Sequence, residues 1–242
     1  MLRQSTLFIA LVLCGLFVAP MRAGDDPQHA FPLTQGNYWV YRGLVRSSVE
    51  GSTVGKVTDV TLKMSVVRVV QRDGFAAAVV SGFPGDLDWS EGEAKPELSV
   101  LIRTPDAKFY LSSLSEAGVT LDQLDDPKYP LEGLIEKANW ILQLPLAEGK
   151  KFSCDDDAAA RDDGRYCWIA GPPHPAALDG VKGIPPGDRT AYEVGYVTNP
   201  DDTEFDFVPG IGIASYEYHH HGTIADTELH LVEFHSADAP GR

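Results

Sequence analysis

A period of two runs through this chain more persistently than any other pattern. Val60, Leu62, Met64 and Val66 alternate with Thr61, Lys63 and Ser65, sending apolar side chains to one face of a strand and polar ones to the other. The pattern continues toward Arg72, and Asp73-Gly74 then separates it from Phe75-Ala76-Ala77-Ala78-Val79-Val80. An Asp-Gly pair between two such runs predicts a hairpin, because both residues accept the positive φ of a tight turn. Leu98, Val100 and Ile102 predict another strand, partnered by Lys108-Phe109-Tyr110-Leu111 across Thr104-Pro105-Asp106. Tyr192, Val194 and Tyr196 alternate up to Asn199-Pro200-Asp201-Asp202, a type I turn sequence, and residues 205–208 return from it. Pro209-Gly210 opens a strand over 211–221, onto which residues 227–235 pair back. One interruption has helical spacing: Leu131, Leu134, Ile135 and Ala138, just after Pro130. Residues 155–164 and 171–187 read as exposed loops, the second rich in proline. The expected class is mainly β, a large curved antiparallel sheet or half-barrel meander with a short helical insert.

The N-terminus has the plan of a secretory signal peptide over residues 1–23. Arg3 gives a positive start, an apolar run covers residues 7–19, and Pro20-Met21-Arg22-Ala23 follows with a small residue at its end. That run makes a helix of roughly 20 Å, too short to cross a bilayer, so no permanent membrane span is expected. Cys14 belongs to the discarded apolar run. Its removal leaves the pair Cys154 and Cys167, expected to form a disulfide in an exported, periplasmic or extracellular protein. Closing that loop stabilises the fold by roughly 3 kcal/mol on the chain-entropy model. Residues 24–242 are expected to form a single extracytoplasmic β-rich domain, with two similar halves over 31–140 and 144–236. The halves rest on an internal echo: Pro32, Leu33, Gly36 and Trp39 match Pro145, Leu146, Gly149 and Phe152 at equal offsets. Each set predicts a turn in which Gly takes a positive φ and the next strand buries its aromatic residue.

The run Pro32-Leu33-Thr34-Gln35-Gly36-Asn37-Tyr38-Trp39, its echo at Pro145 and the Val208-Pro209-Gly210-Ile211-Gly212-Ile213 lead-in to the terminal hairpin resemble a loose class of uncharacterised secreted bacterial β-sheet proteins. More distantly, they are similar to the lipoprotein-carrier fold. That likeness implies a curved sheet that wraps a helix and cups an apolar ligand. The chain departs from the carrier pattern in having one short helical insert where a carrier has more covering helix. The likeness concerns fold and brings no catalytic residue with it.

Composition narrows the function classes. With 20 Lys and Arg against 35 Asp and Glu, the formal charge is −15, which argues against nucleic acid and against anionic lipid surfaces. No Gly-x-Ser-x-Gly elbow, His-Glu-x-x-His, Gly-rich phosphate loop or Cys-x-x-Cys occurs. Three readings remain. The first is a non-catalytic exported protein binding an apolar small molecule or an envelope protein, with Leu62, Met64, Val100, Ile102, Tyr192, Val194 and Tyr196 lining a cup. The second is a transition-metal protein or metal-dependent hydrolase. On a strand His219 and His221 share a face that His220 does not, and His230 reaches them from the partner strand, with Asp226 or Glu228 as an oxygen ligand. The third is a structural or interaction module. Asp155-Asp156-Asp157 with Asp162-Asp163 are oxygen donors for calcium without EF-hand spacing. Asp86, Asp88, Glu91 and Glu93 lie around Trp89 in a run that reads as an exposed loop with one anchored aromatic.

Overall fold

A computed structural model describes residues 26, 29–48, 55–90, 97–155 and 163–237. The signal-peptide reading and most of the acidic run at 155–163 lie outside them. Six strands follow one another in the first half: β1 (Tyr38–Ser47), β2 (Lys56–Arg72), β3 (Phe75–Ser81), β4 (Leu98–Arg103), β5 (Lys108–Ser113) and β6 (Asn139–Gln143). Six more follow: β7 (Lys151–Phe152), β8 (Trp168–Pro175), β9 (Thr190–Val197), β10 (Asp201–Val208), β11 (Gly212–His220) and β12 (Ala225–His235). All belong to one antiparallel sheet in the order β6-β5-β4-β3-β2-β1-β12-β11-β10-β9-β8-β7. Two meanders therefore meet along β1 and β12, the first strand and the last.

The sheet curls until it nearly closes into a barrel. Its two ends, β6 and β7, meet through side chains: the Trp140 and Phe152 rings lie 5.8 Å apart. Lys150 Nζ donates to the carbonyls of Gln143 at 3.2 Å and Pro145 at 2.9 Å. Beyond β7, the free side of β8 carries Pro172, Pro173 and Pro175. These residues have no N–H to offer, which blunts an exposed edge against further pairing.

Local chemistry explains the elements. Asp73 and Gly74 have φ of 52° and 81°, the doubly positive turn expected between β2 and β3. β3 shows no alternation because both of its faces are covered. Ala78 and Val80 face the barrel core, while Ala77 and Val79 lie under a helical cap on the outside. That cap holds the expected helical segment, found as a 3-10 helix over Leu131–Lys137, and two short helices not anticipated, α1 (Leu114–Ala117) and α2 (Leu121–Asp125). Both begin with a capping box, Ser113 with Glu116 and Thr120 with Gln123. Residues 171–175, expected in a loop, complete β8.

The two Pro-Leu lead-ins make corresponding hydrogen bonds. Asn37 N–H donates to Thr34 and Lys150 N–H to Ala147; Gly36 N–H donates to Val66 and Gly149 N–H to Ala170. Both glycines have positive φ, 93° and 74°, and Trp39 and Phe152 are buried. The first lead-in also closes one region of the barrel interior. Phe31 is 2% exposed and its ring lies 6.0, 5.9 and 5.6 Å from Trp39, Phe109 and Phe207. Trp39 Nε1 donates to the Ile211 carbonyl at 2.6 Å, and buried Asn37 bonds both the Pro32 carbonyl and the Ala237 N–H.

Candidate functional site

The barrel interior is not filled throughout. A cavity of about 720 Å³ lies between the β4–β6 wall and the facing β8, β10 and β11, within the size range of small-molecule sites. Phe83, Leu111, Ile141, Trp168 and Phe205 give it apolar walls. Ser99, Ser112, Ser113, Asn139 and Thr203 add hydroxyl and amide groups, and Asp86, Glu97 and Glu116 add carboxylates. No Lys, Arg or His is among the described lining residues. Ser99 and Thr203 are polar residues at inward strand positions, paired with buried Val80 and Tyr218. Inward polar residues of this kind mark the places where the core gives way to the cavity.

A 3-10 turn, Pro84–Leu87, forms one side of the cavity. Pro84 at its first position presets φ, and Asp86 N–H and Asp88 N–H bond back to Phe83 and Gly85 at 2.9 and 3.1 Å. A Cβ on Gly85 would meet the Tyr216 hydroxyl at 3.3 Å, so the absence of a side chain there lets the turn settle on β11. Trp89 follows at φ 64°, a left-handed conformation uncommon outside glycine. Trp89 is 56% exposed, with its ring edge-on to His220 at 4.5 Å, while the Asp86 and Asp88 carboxyls turn inward; Glu91 and Glu93 lie outside the described residues.

Burial governs the charge of this turn. It raises Asp88 from 3.8 to about 7; the Tyr216 hydrogen bond opposes the rise, and the charges of Asp86 and Asp201 add to it. Tyr216 O–H donates to Asp88 Oδ2 at 2.5 Å, and burial together with that carboxylate holds the phenol well above its ordinary range. Asp86 rises to about 6, first through burial and also through the nearby Glu97 charge, against hydrogen bonding from the Glu97 and Phe83 backbones. Asp86 Oδ2 and Asp88 Oδ1 are enclosed and have no hydrogen-bond partner among the described residues. Asp201 behaves differently: burial pushes it up, but hydrogen bonds to Tyr218 and His220 outweigh that and leave it lowered.

The histidines do not converge. His219 and His221 share a face, with rings 4.9 Å apart, as alternation predicts. His219 bonds Asp226, and His221 bonds Asp202 at 2.9 Å. His230, however, pairs opposite Ser215, whereas Asp226 is the residue opposite His219. Four residues of strand therefore separate His230 from the pair, and it bonds Glu228 at 3.2 Å. No group of three or more His, Cys, Asp or Glu able to hold a metal ion occurs among the described residues.

The seven apolar candidates also divide, and none lines the cavity. Leu62, Met64 and Val194 are packed into the barrel core, with Tyr192 and Tyr196 partly buried against it. Val100 and Ile102 face outward beneath the helical cap, and the inward residue between them is Leu101. Cys154 and Cys167 form the expected disulfide.

Neither the scan against family models nor the search of curated proteins gives a match. Among solved structures, the chain is similar to a protein from Bacteroides fragilis described as exported with a YmcC-like fold. The identity is 13% and the TM-score 0.37, covering 86% of this chain and 99% of the other. A protein described as a lipoprotein from Parabacteroides distasonis gives 11% identity and a TM-score of 0.35, covering 86% and 98%. Scores of this size are too low to assign a shared fold.

Proposed function

We propose that the chain is an exported, non-catalytic binding protein whose mature part, residues 24–242, forms one extracytoplasmic domain and takes an amphiphilic small molecule into the barrel cavity. The observation that carries this reading is the cavity itself, about 720 Å³ with aromatic and aliphatic walls on some sides and hydroxyl, amide and carboxyl groups on others. Ser112, Ser113 and Glu116 hydrogen-bond within the protein, but a purely apolar ligand would strip water from the wall groups that have no such partner, at a cost of about 1–3 kcal/mol each. An amphiphile satisfies both kinds of wall. The leader at residues 1–23 and the Cys154–Cys167 disulfide support an oxidising compartment outside the cytoplasm. Among the described residues no helix is long and apolar enough to cross a membrane.

The test is titration of the mature protein with Nile red, a neutral dye that brightens in apolar surroundings. It is run alongside mass spectrometry of organic extracts of the purified protein. Saturable dye binding that disappears in Thr203→Trp, a substitution that fills the cavity, is the expected result. Absence of both saturable binding and a co-purifying small molecule would overturn the proposal.

A further inference from the structure

We infer that the ligand of this cavity carries a positively charged nitrogen, an ammonium or guanidinium head seated against Asp86 and Glu97. The inference rests on the reading of the cavity as a binding site and assigns the chemical class of its ligand. Asp86, Glu97 and Glu116 all lie on the cavity wall, and no cationic side chain accompanies them among the described lining residues. Glu116 is already engaged, since its carboxylate accepts from Ser113 N–H in the capping box of α1. Asp86 is not fully engaged: its Oδ2 is enclosed yet lacks a hydrogen-bond partner among the described residues.

A carboxylate taken out of water without a compensating donor or charge favours whatever supplies one. The rise of Asp86 to about 6 comes first from burial, which the Glu97 and Phe83 backbone hydrogen bonds offset only in part. An ammonium head brings both a donor and a charge. A carboxylate, sulfate or phosphate head would instead add another negative charge beside half-buried Asp86 and the exposed Glu97 and Glu116. The field of the whole chain acts in the same direction, because a formal charge of −15 concentrates cations near its surface. Phe83, Trp168 and Phe205 remain for the apolar part of the ligand.

Three eight-carbon probes that differ only in their heads separate the cases: octyltrimethylammonium, octyl glucoside and octyl sulfate. Each is titrated calorimetrically against the mature protein below its micelle concentration. The expected order is cation tightest, by about tenfold or more over the neutral probe, and sulfate weakest. Glu97→Gln and the double variant Asp86→Asn/Glu97→Gln should remove the cation's advantage over octyl glucoside, both probes being measured on the same variant. Two variants keep the test valid if one fails to fold. Equal or tighter binding of the neutral probe, or a cation preference that survives in a folded variant, overturns the charge assignment and leaves the cavity reading standing. If none of the three probes binds saturably and Nile red also fails, the cavity reading falls and this inference with it.

Discussion

Replacing Asp88 by asparagine should change how stability depends on pH, in a direction opposite to that expected for a carboxylate held in an ion pair. Asp88 is raised from 3.8 to about 7 by burial, so between these values the folded protein holds a proton that the unfolded chain has released. Stability then falls as pH rises through this window; the penalty is absent below the unfolded value and complete above the folded one. A difference of about 3 units at about 1.4 kcal/mol each sets a penalty of up to about 4 kcal/mol in alkaline buffer. Asparagine keeps the shape and retains an oxygen to accept from Tyr216, but it cannot ionise. The unfolding free energy of Asp88→Asn relative to wild type should therefore climb by about 2–4 kcal/mol from about pH 4 to about pH 8. Urea unfolding at constant ionic strength, followed by tryptophan fluorescence, measures that difference directly. A variant whose curve runs parallel to wild type across the range would show that Asp88 is not desolvated, and the electrostatic description of the turn would fail with it.

Other consequences can be checked separately. Phe31→Ala removes a ring that is 2% exposed and touches three strands' aromatics, and should cost about 3–5 kcal/mol in urea unfolding. Gly212→Ala would place a Cβ 2.7 Å from that same ring at φ +102°; a loss of about 1–3 kcal/mol is expected, and an unchanged midpoint would contradict the packing. Reducing the Cys154–Cys167 bridge, with its separation of 13 residues, should lower stability by about 3 kcal/mol, seen by unfolding with and without reductant. On the outer face Glu204, raised to about 7 by burial and then by Glu193 and Glu217, should titrate near neutrality in carboxyl NMR. Glu217→Gln should move that midpoint down.

What could be read from the sequence was local. The Asp73-Gly74 and Pro209-Gly210 turns, and the alternation beside them, depend on neighbours along the chain and give the hairpins directly. Pairing between distant segments is set by tertiary packing. Alternation separates Val100 and Ile102 from Leu101, but it does not say which set faces the core, because the helical cap makes the outer face apolar as well. The same limit applies to the histidines. Strand period brings His219 and His221 together, whereas the β11–β12 register decides where His230 falls. Two capping boxes signalled α1 and α2, but helices of four and five residues are too short to show a 3.6-residue period. The carboxyls of Asp86 and Asp88 were visible within a Gly- and Pro-punctuated run that reads as solvent-exposed. The carboxyl of Asp88 is held inside by Tyr216, 128 residues further on. Phe83 and Leu87, both buried and one helical turn apart, were the local sign that the segment points inward.

The break in the barrel between β6 and β7 has a mechanical consequence. Asn139 and Ile141 of β6 line one side of the cavity and Trp168 of β8 lines the other, so the cavity spans a junction that no backbone ladder crosses. Elsewhere, widening the barrel would mean separating hydrogen-bonded strands. Here, among the described residues, the Trp140 and Phe152 rings would slide and the Lys150 ammonium would exchange the carbonyls of Gln143 and Pro145 for water. On the proposed reading of the cavity as a container, its wall is tied by ladders around most of its circumference and by side chains along one line, like a sprung clip, and that line is where a guest of larger girth would be accommodated.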